Sequence, residues 1–97
     1  MAKLVSADLT DNVELCILYY ETTNEECLHI WPNTFDAKII SHTYDKIGAI
    51  IFEKPITYIG PSAFYQCVNL KGIWIPNSVT SIGKWAFFCC AALKSVH

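Results

Sequence analysis

The residues best suited to chemistry are the cysteines and histidines. Cys27-x-His29, with His42 further on, has the donor types of a metal site or of a thiol nucleophile beside a base. No third ligand stands at metal spacing and no base–nucleophile spacing is legible, so these side chains are read as ordinary surface or core residues. The chain has five cysteines (Cys16, Cys27, Cys67, Cys89 and Cys90), an odd number without a C-x-x-C pair. Cys89 and Cys90 are adjacent, which predicts one outward and one buried thiol, with Cys89 the one open to intermolecular oxidation. No catalytic residue, metal ligand or cofactor site is assigned, and the chain is read as a non-enzyme.

Composition limits the remaining choices. The chain has 97 residues, 53% of them hydrophobic and 16% charged, so it forms one small domain with little charge to spread over its surface. A net charge of −2 gives no basic field for nucleic acid. No stretch approaches the ~18 apolar residues of a membrane span. The opening Met-Ala-Lys-Leu-Val-Ser-Ala-Asp has no apolar core of a leader. A soluble chain without an export signal is expected.

The element that would position any functional side chain is a repeat. Ile59-Gly60-Pro-Ser-Ala63-Phe64-Tyr-Gln-Cys67-Val-Asn-Leu70 returns as Ile82-Gly83-Lys-Trp-Ala86-Phe87-Phe-Cys-Cys90-Ala-Ala-Leu93, an offset of 23 residues (82 − 59 = 23). Between 50–72 and 73–95 nine of 23 positions are identical: Ile50/73, Thr57/80, Ile59/82, Gly60/83, Ala63/86, Phe64/87, Cys67/90, Leu70/93 and Lys71/94. Repeats of this length stack, each burying its apolar face against its neighbours. In each unit, Leu70-x-x-Ile73-x-Ile75 alternates as a strand with Ile73 and Ile75 inward, and Pro76 ends it. Gly83 permits a close backbone approach. The three-residue spacing of Phe87, Cys90 and Leu93 predicts one or two helical turns with those side chains inward. Cys67 and Cys90 would then stand about 4.8 Å apart, a distance that permits a disulfide, although free buried thiols are expected.

Upstream of Ala49 the pattern is lost. Residues 1–48 are read as a β-rich N-terminal cap, with 1–12 loose, and residues 49–97 as two 23-residue repeats plus a partial third strand. Within the cap, Val13–Tyr20 reads as a strand with Val13, Leu15, Ile17 and Tyr19 on one face. Cys27–Trp31 reads as a second short strand stopped by Pro32. Ala37–Thr43 and Ala49–Glu53 flank Tyr44–Gly48 as a hairpin.

Ile75-Pro76-Asn-Ser78-Val79-Thr80-Ser-Ile82-Gly83-Lys-Trp-Ala86-Phe87-Phe-Cys-Cys90-Ala-Ala-Leu93 resembles the BspA-type leucine-rich repeat, I-P-x-S-V-T-x-I-G-x-x-A-F-x-x-C-x-x-L. The upstream copy departs from it with Glu53 for Pro and Pro55 for Ser. Phe35–Tyr44 is similar to the segment preceding the first repeat in bacterial members. The expected fold is therefore α/β: a short right-handed leucine-rich-repeat solenoid of parallel strands and short helical turns, closed by a β-rich N-terminal cap. The resemblance implies a bacterial, cell-surface or extracellular protein that binds host or matrix proteins in adhesion, with no catalytic residues to carry over.

Two surfaces follow. Trp74 lies between inward Ile73 and Ile75, so its equivalents Ile51 and His97 join it in an outward column on the strand face, flanked by Glu53. Exposed aromatic and aliphatic residues of this kind are interface anchors. Trp85 and Phe88, with equivalents Ser62 and Tyr65, lie on the opposite side. The last repeat leaves a strand edge open at Phe87, Leu93 and Val96. The leading expectation is a protein-interaction module with an unidentified protein partner. The alternative is a structural repeat fragment that self-associates, as a homodimer, through its uncapped C-terminal end.

Overall fold

The computed structural model describes residues 16–31 and 34–97. The expectations for residues 1–12, for Val13 and Leu15, and for the stop at Pro32-Asn33 lie outside the described residues. Among the described residues there are seven strands: β1 (Ile17–Thr22), β2 (Ile39–Asp45), β3 (Ile47–Phe52), β4 (Tyr58–Ile59), β5 (Leu70–Trp74), β6 (Ser81–Ile82) and β7 (Ser95–Val96). Five form one sheet in the order β2-β3-β1-β5-β7, and β4 pairs with β6 in a second.

Hairpin β2–β3 is tighter than the sequence suggests. Asp45 faces Ile47, Tyr44 faces Gly48, and Lys46 turns the corner at φ 68°. The repeat offset of 23 is carried in three places. Tyr58 and Ile59 pair in parallel with Ser81 and Ile82, and Gly72 and Ile73 pair with Ser95 and Val96. Between these, the Ser62, Phe64 and Gln66 amides donate to the Lys84, Ala86 and Phe88 carbonyls at 3.1, 2.8 and 2.8 Å. Phe64 stacks on Phe87 and Tyr65 on Phe88, with ring centroids 5.4 and 5.5 Å apart.

The α/β solenoid of parallel strands and helical turns is not what these repeats build, for two physical reasons. First, the segments after Gly60 and Gly83 are chains of overlapping turns, and no α-helix occurs among the described residues. The Ala63, Tyr65 and Cys67 amides donate to Gly60, Ser62 and Phe64 carbonyls, closing three-residue steps at every second residue. Ser62, Gln66, Trp85 and Cys89 have φ of 61°, 58°, 63° and 64°. A positive φ at the third position alone is the type II turn geometry, and it breaks a helix. Pro61, at the second position of its turn, has the fixed negative φ that such a turn takes there.

Second, the sheet is mixed. β1 runs antiparallel between β3 and β5: Tyr19 faces Ala49 on one side and Trp74 on the other. Strands β3 and β5, one repeat apart, therefore do not touch, and the parallel stack is not continuous. Gly48 makes this insertion possible. Any Cβ there would lie 2.3 Å from Cζ of Tyr20, so the ring occupies the space a side chain would fill.

The core lies between the inner sheet face and the turn chains. Leu18, Tyr20, Ile50, Phe52, Leu70 and Ile73 meet Ile56, Ile59, Ala63 and Phe64, all buried, with Phe35 closing one end. On β1 the buried set is Leu18, Tyr20 and Thr22, so Ile17 and Tyr19 share the outer face. The expected strand at Cys27–Trp31 is an irregular segment. Ile75, Phe87, Cys90 and Leu93 are half-buried against the core. Gly83 is a close approach as read: a Cβ would stand 2.4 Å from the Pro61 nitrogen.

Candidate functional site

The outer sheet face carries a row of residues set by pairing register: Thr43, Ala49, Tyr19, then Trp74. His97 continues the row, its ring stacked on Trp74 with centroids 5.3 Å apart and planes 11° from parallel. The His97 backbone is fixed on both sides, its amide donating to Ile73 and its carbonyl accepting from Ile75. Tyr19 is 38% exposed, Trp74 is half-buried and His97 exposed. Ile51 lies on the same face but next to Ile17; the inserted β1 separates it from Trp74, and Tyr19 takes the neighbouring place. Glu53 is exposed just beyond β3, its amide donating to the Lys38 carbonyl. Sequence periodicity could not supply Tyr19, because its position depends on a strand from outside the repeats. What this row offers is a flat aromatic surface with one imidazole, suited to apolar and π contact.

The cysteine–histidine set does not form one site: Cys27 and His42 both approach the Tyr20 hydroxyl, and His29 stands apart. His42 sits by Tyr20, whose hydroxyl is 2.5 Å from Nε2. The Leu28 amide donates to the same hydroxyl at 3.0 Å, and the Cys27 side chain also lies within interaction range of it. Burial holds the His42 pKa below its ordinary value and pushes the Tyr20 phenol well above its own. His29 instead meets Trp31 edge-on at 4.4 Å. No group of three potential metal ligands forms among the described residues. Leu28, Ile30, Phe35, Ile39 and His42 line an open groove beside them.

Burial pushes the Cys67 thiol up to about 11, with Cys90 nearby adding to the effect. The Cys90 thiol donates to the Phe64 carbonyl at 3.1 Å. Both are free half-buried thiols, and Cys89 is free and exposed. At the C-terminal end Val96 is 52% exposed, with Phe87 and Leu93 half-buried behind it. On the turn side, Trp85 (57% exposed) carries the Lys84 ammonium 5.3 Å from its ring centroid and leans on Phe88.

Residues 32–97 match the family described as BspA type leucine rich repeat region (6 copies), which is more than half of the chain. The chain belongs to the BspA-type leucine-rich repeat family. Proteins of this leucine-rich repeat class are generally non-catalytic interaction modules. No curated protein and no solved structure matches the chain. The BspA-type match begins before Ala49, where the repeat becomes legible in the sequence, and the hydrogen bonds there parallel those between repeats. The Gly83 and Thr80 amides donate to Ile59 and Thr57 of the previous repeat. The Gly60 amide donates instead to the Thr34 carbonyl, and the Thr57 amide to Oδ1 of Asp36 at 2.9 Å. Thr34–Asp36 thus stand in for a preceding unit. Burial acts to raise the Asp36 pKa, but the hydrogen bonds from the Thr57 hydroxyl and amide outweigh it and hold the carboxyl below its usual value. No helix of the described residues is long and apolar enough to cross a membrane.

Proposed function

We propose that the chain is a protein-binding module acting through its outer sheet face, with Tyr19, Trp74 and His97 at the centre and Ile51 and Glu53 at the margin. The observation that carries this reading is the stacked Trp74–His97 pair continued by exposed Tyr19. Aromatic anchors held rigidly lose little conformational freedom on binding. The family resemblance supports reading this binding as occurring at a bacterial surface, with host or matrix proteins as partners. The test is binding of the purified chain to a panel of extracellular-matrix and host-surface proteins. Trp74→Ala is expected to weaken the interaction at least tenfold, while Trp85→Ala on the opposite side leaves it unchanged. The reverse pattern would move the binding site to the turn side.

A second reading, self-association at the C-terminal end of the array, is favoured by a specific observation. The Trp85, Phe87 and Cys89 amides have no acceptor among the described residues, whereas their equivalents Ser62, Phe64 and Gln66 each donate to the next repeat. Phe87, Leu93 and Val96 supply the apolar part of the same end. Light scattering of wild type against Val96→Lys tests it: loss of a dimer in the variant supports the reading, and a monomer at every concentration refutes it.

A further inference from the structure

We propose that β1 is an exchangeable strand, and that two copies of this chain form a dimer by each inserting β1 into the other's slot between β3 and β5.

The slot is a consequence of the repeat. Strands β4 and β6, and β5 and β7, are successive repeat mates and pair directly. Only β3 and β5 are held apart, by a strand that arrives antiparallel from outside the repeats. Both faces of the slot present open ladder groups, which β1 satisfies with Ile17–Tyr20 on one side and Tyr19–Thr22 on the other. A buried strand bonded along both edges is a unit that a second copy can supply without loss.

The fit of the slot identifies its occupant. Tyr20 lies flat over Gly48, where no Cβ could stand, and its hydroxyl meets His42 and the Leu28 amide. Leu18, two residues earlier, is fully buried. A strand that fills this slot therefore needs a large apolar residue followed two positions later by tyrosine. That pattern belongs to β1 itself, so the partner is another copy of this chain.

The link that would open is visible. Thr23 is anchored, its amide and hydroxyl donating to Asn69, but Asn24–Cys27 are all exposed. Within this turn Glu25 is held at φ 56°, a conformation unfavourable for a side-chain-bearing residue. The turn is closed by the Thr22 hydroxyl, bonded to the amide and carbonyl of Glu26, by the Asn24 side-chain amide on the Glu26 carboxylate, and by the Leu28 amide on the Tyr20 hydroxyl. Straightening it relieves the Glu25 backbone and carries β1 away from its own body. A short strained hinge of this kind favours exchange. Every bond that β1 makes to the slot is re-formed in the swapped pair.

The experiment compares the full chain with Glu25→Pro and Glu25→Gly by size exclusion with light scattering after incubation at high concentration. Proline cannot adopt a positive φ, so Glu25→Pro is expected to raise the dimer fraction. Glycine is at ease there, so Glu25→Gly is expected to lower the dimerisation constant about fivefold per hinge. The wild-type dimer is expected to decay slowly on dilution, because unswapping withdraws a core strand. If Glu25→Pro fails to fold, wild type against Glu25→Gly decides alone. A dimer equally populated in all folded variants would lie on an outer edge such as β7, and would overturn the proposal. A strict monomer throughout would overturn it too.

Discussion

Tyr20 shows most clearly how one side chain decides this structure. Its ring fills the space above Gly48, so Gly48→Ala forces a methyl into an aromatic ring and is expected to cost about 1–3 kcal/mol, read as a lowered urea midpoint. Tyr20→Phe keeps the ring but leaves the Leu28 amide without its acceptor and His42 without its hydroxyl partner. A loss of about 1–3 kcal/mol is expected. The pH dependence follows from His42. Its folded pKa is lowered by burial, so the unfolded chain takes up the proton first. Stability is full above the unfolded value of about 6.5 and falls as pH drops below it. Denaturant midpoints at a series of pH values check this, and His42→Gln is expected to flatten the slope. The thiols give an independent test. Exposed Cys27 and Cys89 are expected to react with iodoacetamide before Cys67, whose thiol lies near 11; mass spectrometry after timed labelling gives the order. The role of Tyr20 was not legible in the sequence. Both faces of the first strand are apolar, with Ile17 and Tyr19 on one and Leu18 and Tyr20 on the other. Alternation shows which residues share a face, but here it could not show which face is buried.

At the scale of elements, the repeat register was legible where repeats pair directly, but not between β3 and β5, and the local backbone was not legible. Identical residues 23 apart do pair, as Ile59 with Ile82. The spacing of Phe87, Cys90 and Leu93 suggested a helix because side chains three apart share a side in both a helix and a chain of turns. Serine, glutamine, tryptophan and cysteine at positive φ give no compositional signal of the kind glycine would. The glycines that do recur serve backbone packing: Gly83→Ala sets a methyl 2.4 Å from the Pro61 nitrogen. It is expected to destabilise more than Gly48→Ala, since a neighbouring backbone yields less than a ring. Asp36 went unrecognised for a different reason, in that a carboxylate standing in for the carbonyl of an earlier repeat leaves no repeat pattern. Asp36→Ala is expected to cost about 1 kcal/mol at this exposed site. Because the Asp36 pKa is lowered in the folded state, its contribution is complete above the unfolded value of about 3.9 and is lost as pH falls below it. The difference between mutant and wild-type denaturant midpoints is therefore expected to shrink in acid.

At the scale of the whole molecule, the chain measures 44 × 26 × 21 Å and depends on a strand from its N-terminal part for its largest sheet. That pairing joins residues near 20 to residues near 73, so the sheet cannot close until both ends of the chain have been made and brought together. Non-local pairing of this kind slows folding. Leu18→Ala is expected to cost about 2–5 kcal/mol and, if β1 docks late, to speed unfolding more than it slows folding. Stopped-flow measurements across a range of denaturant concentrations separate the two. The sequence could not reveal this dependence, because a repeat pattern describes only how like units meet and is silent about a foreign strand between them.

The turn chain has a further physical consequence. Ser62, Phe64 and Gln66 send their amides toward the second repeat, whose Lys84, Ala86 and Phe88 carbonyls point back at them. Alternate peptide groups of this chain therefore share one direction, and their dipoles add. On the turn side, the end bearing Trp85, Phe87 and Cys89 presents these three amide donors and partial positive charge. A two-fold pair at this end therefore has to rest on Phe87, Leu93 and Val96, with these amides set aside from one another. Growth along this axis is therefore one-way, and an added repeat is accepted only in the same sense as those already in place.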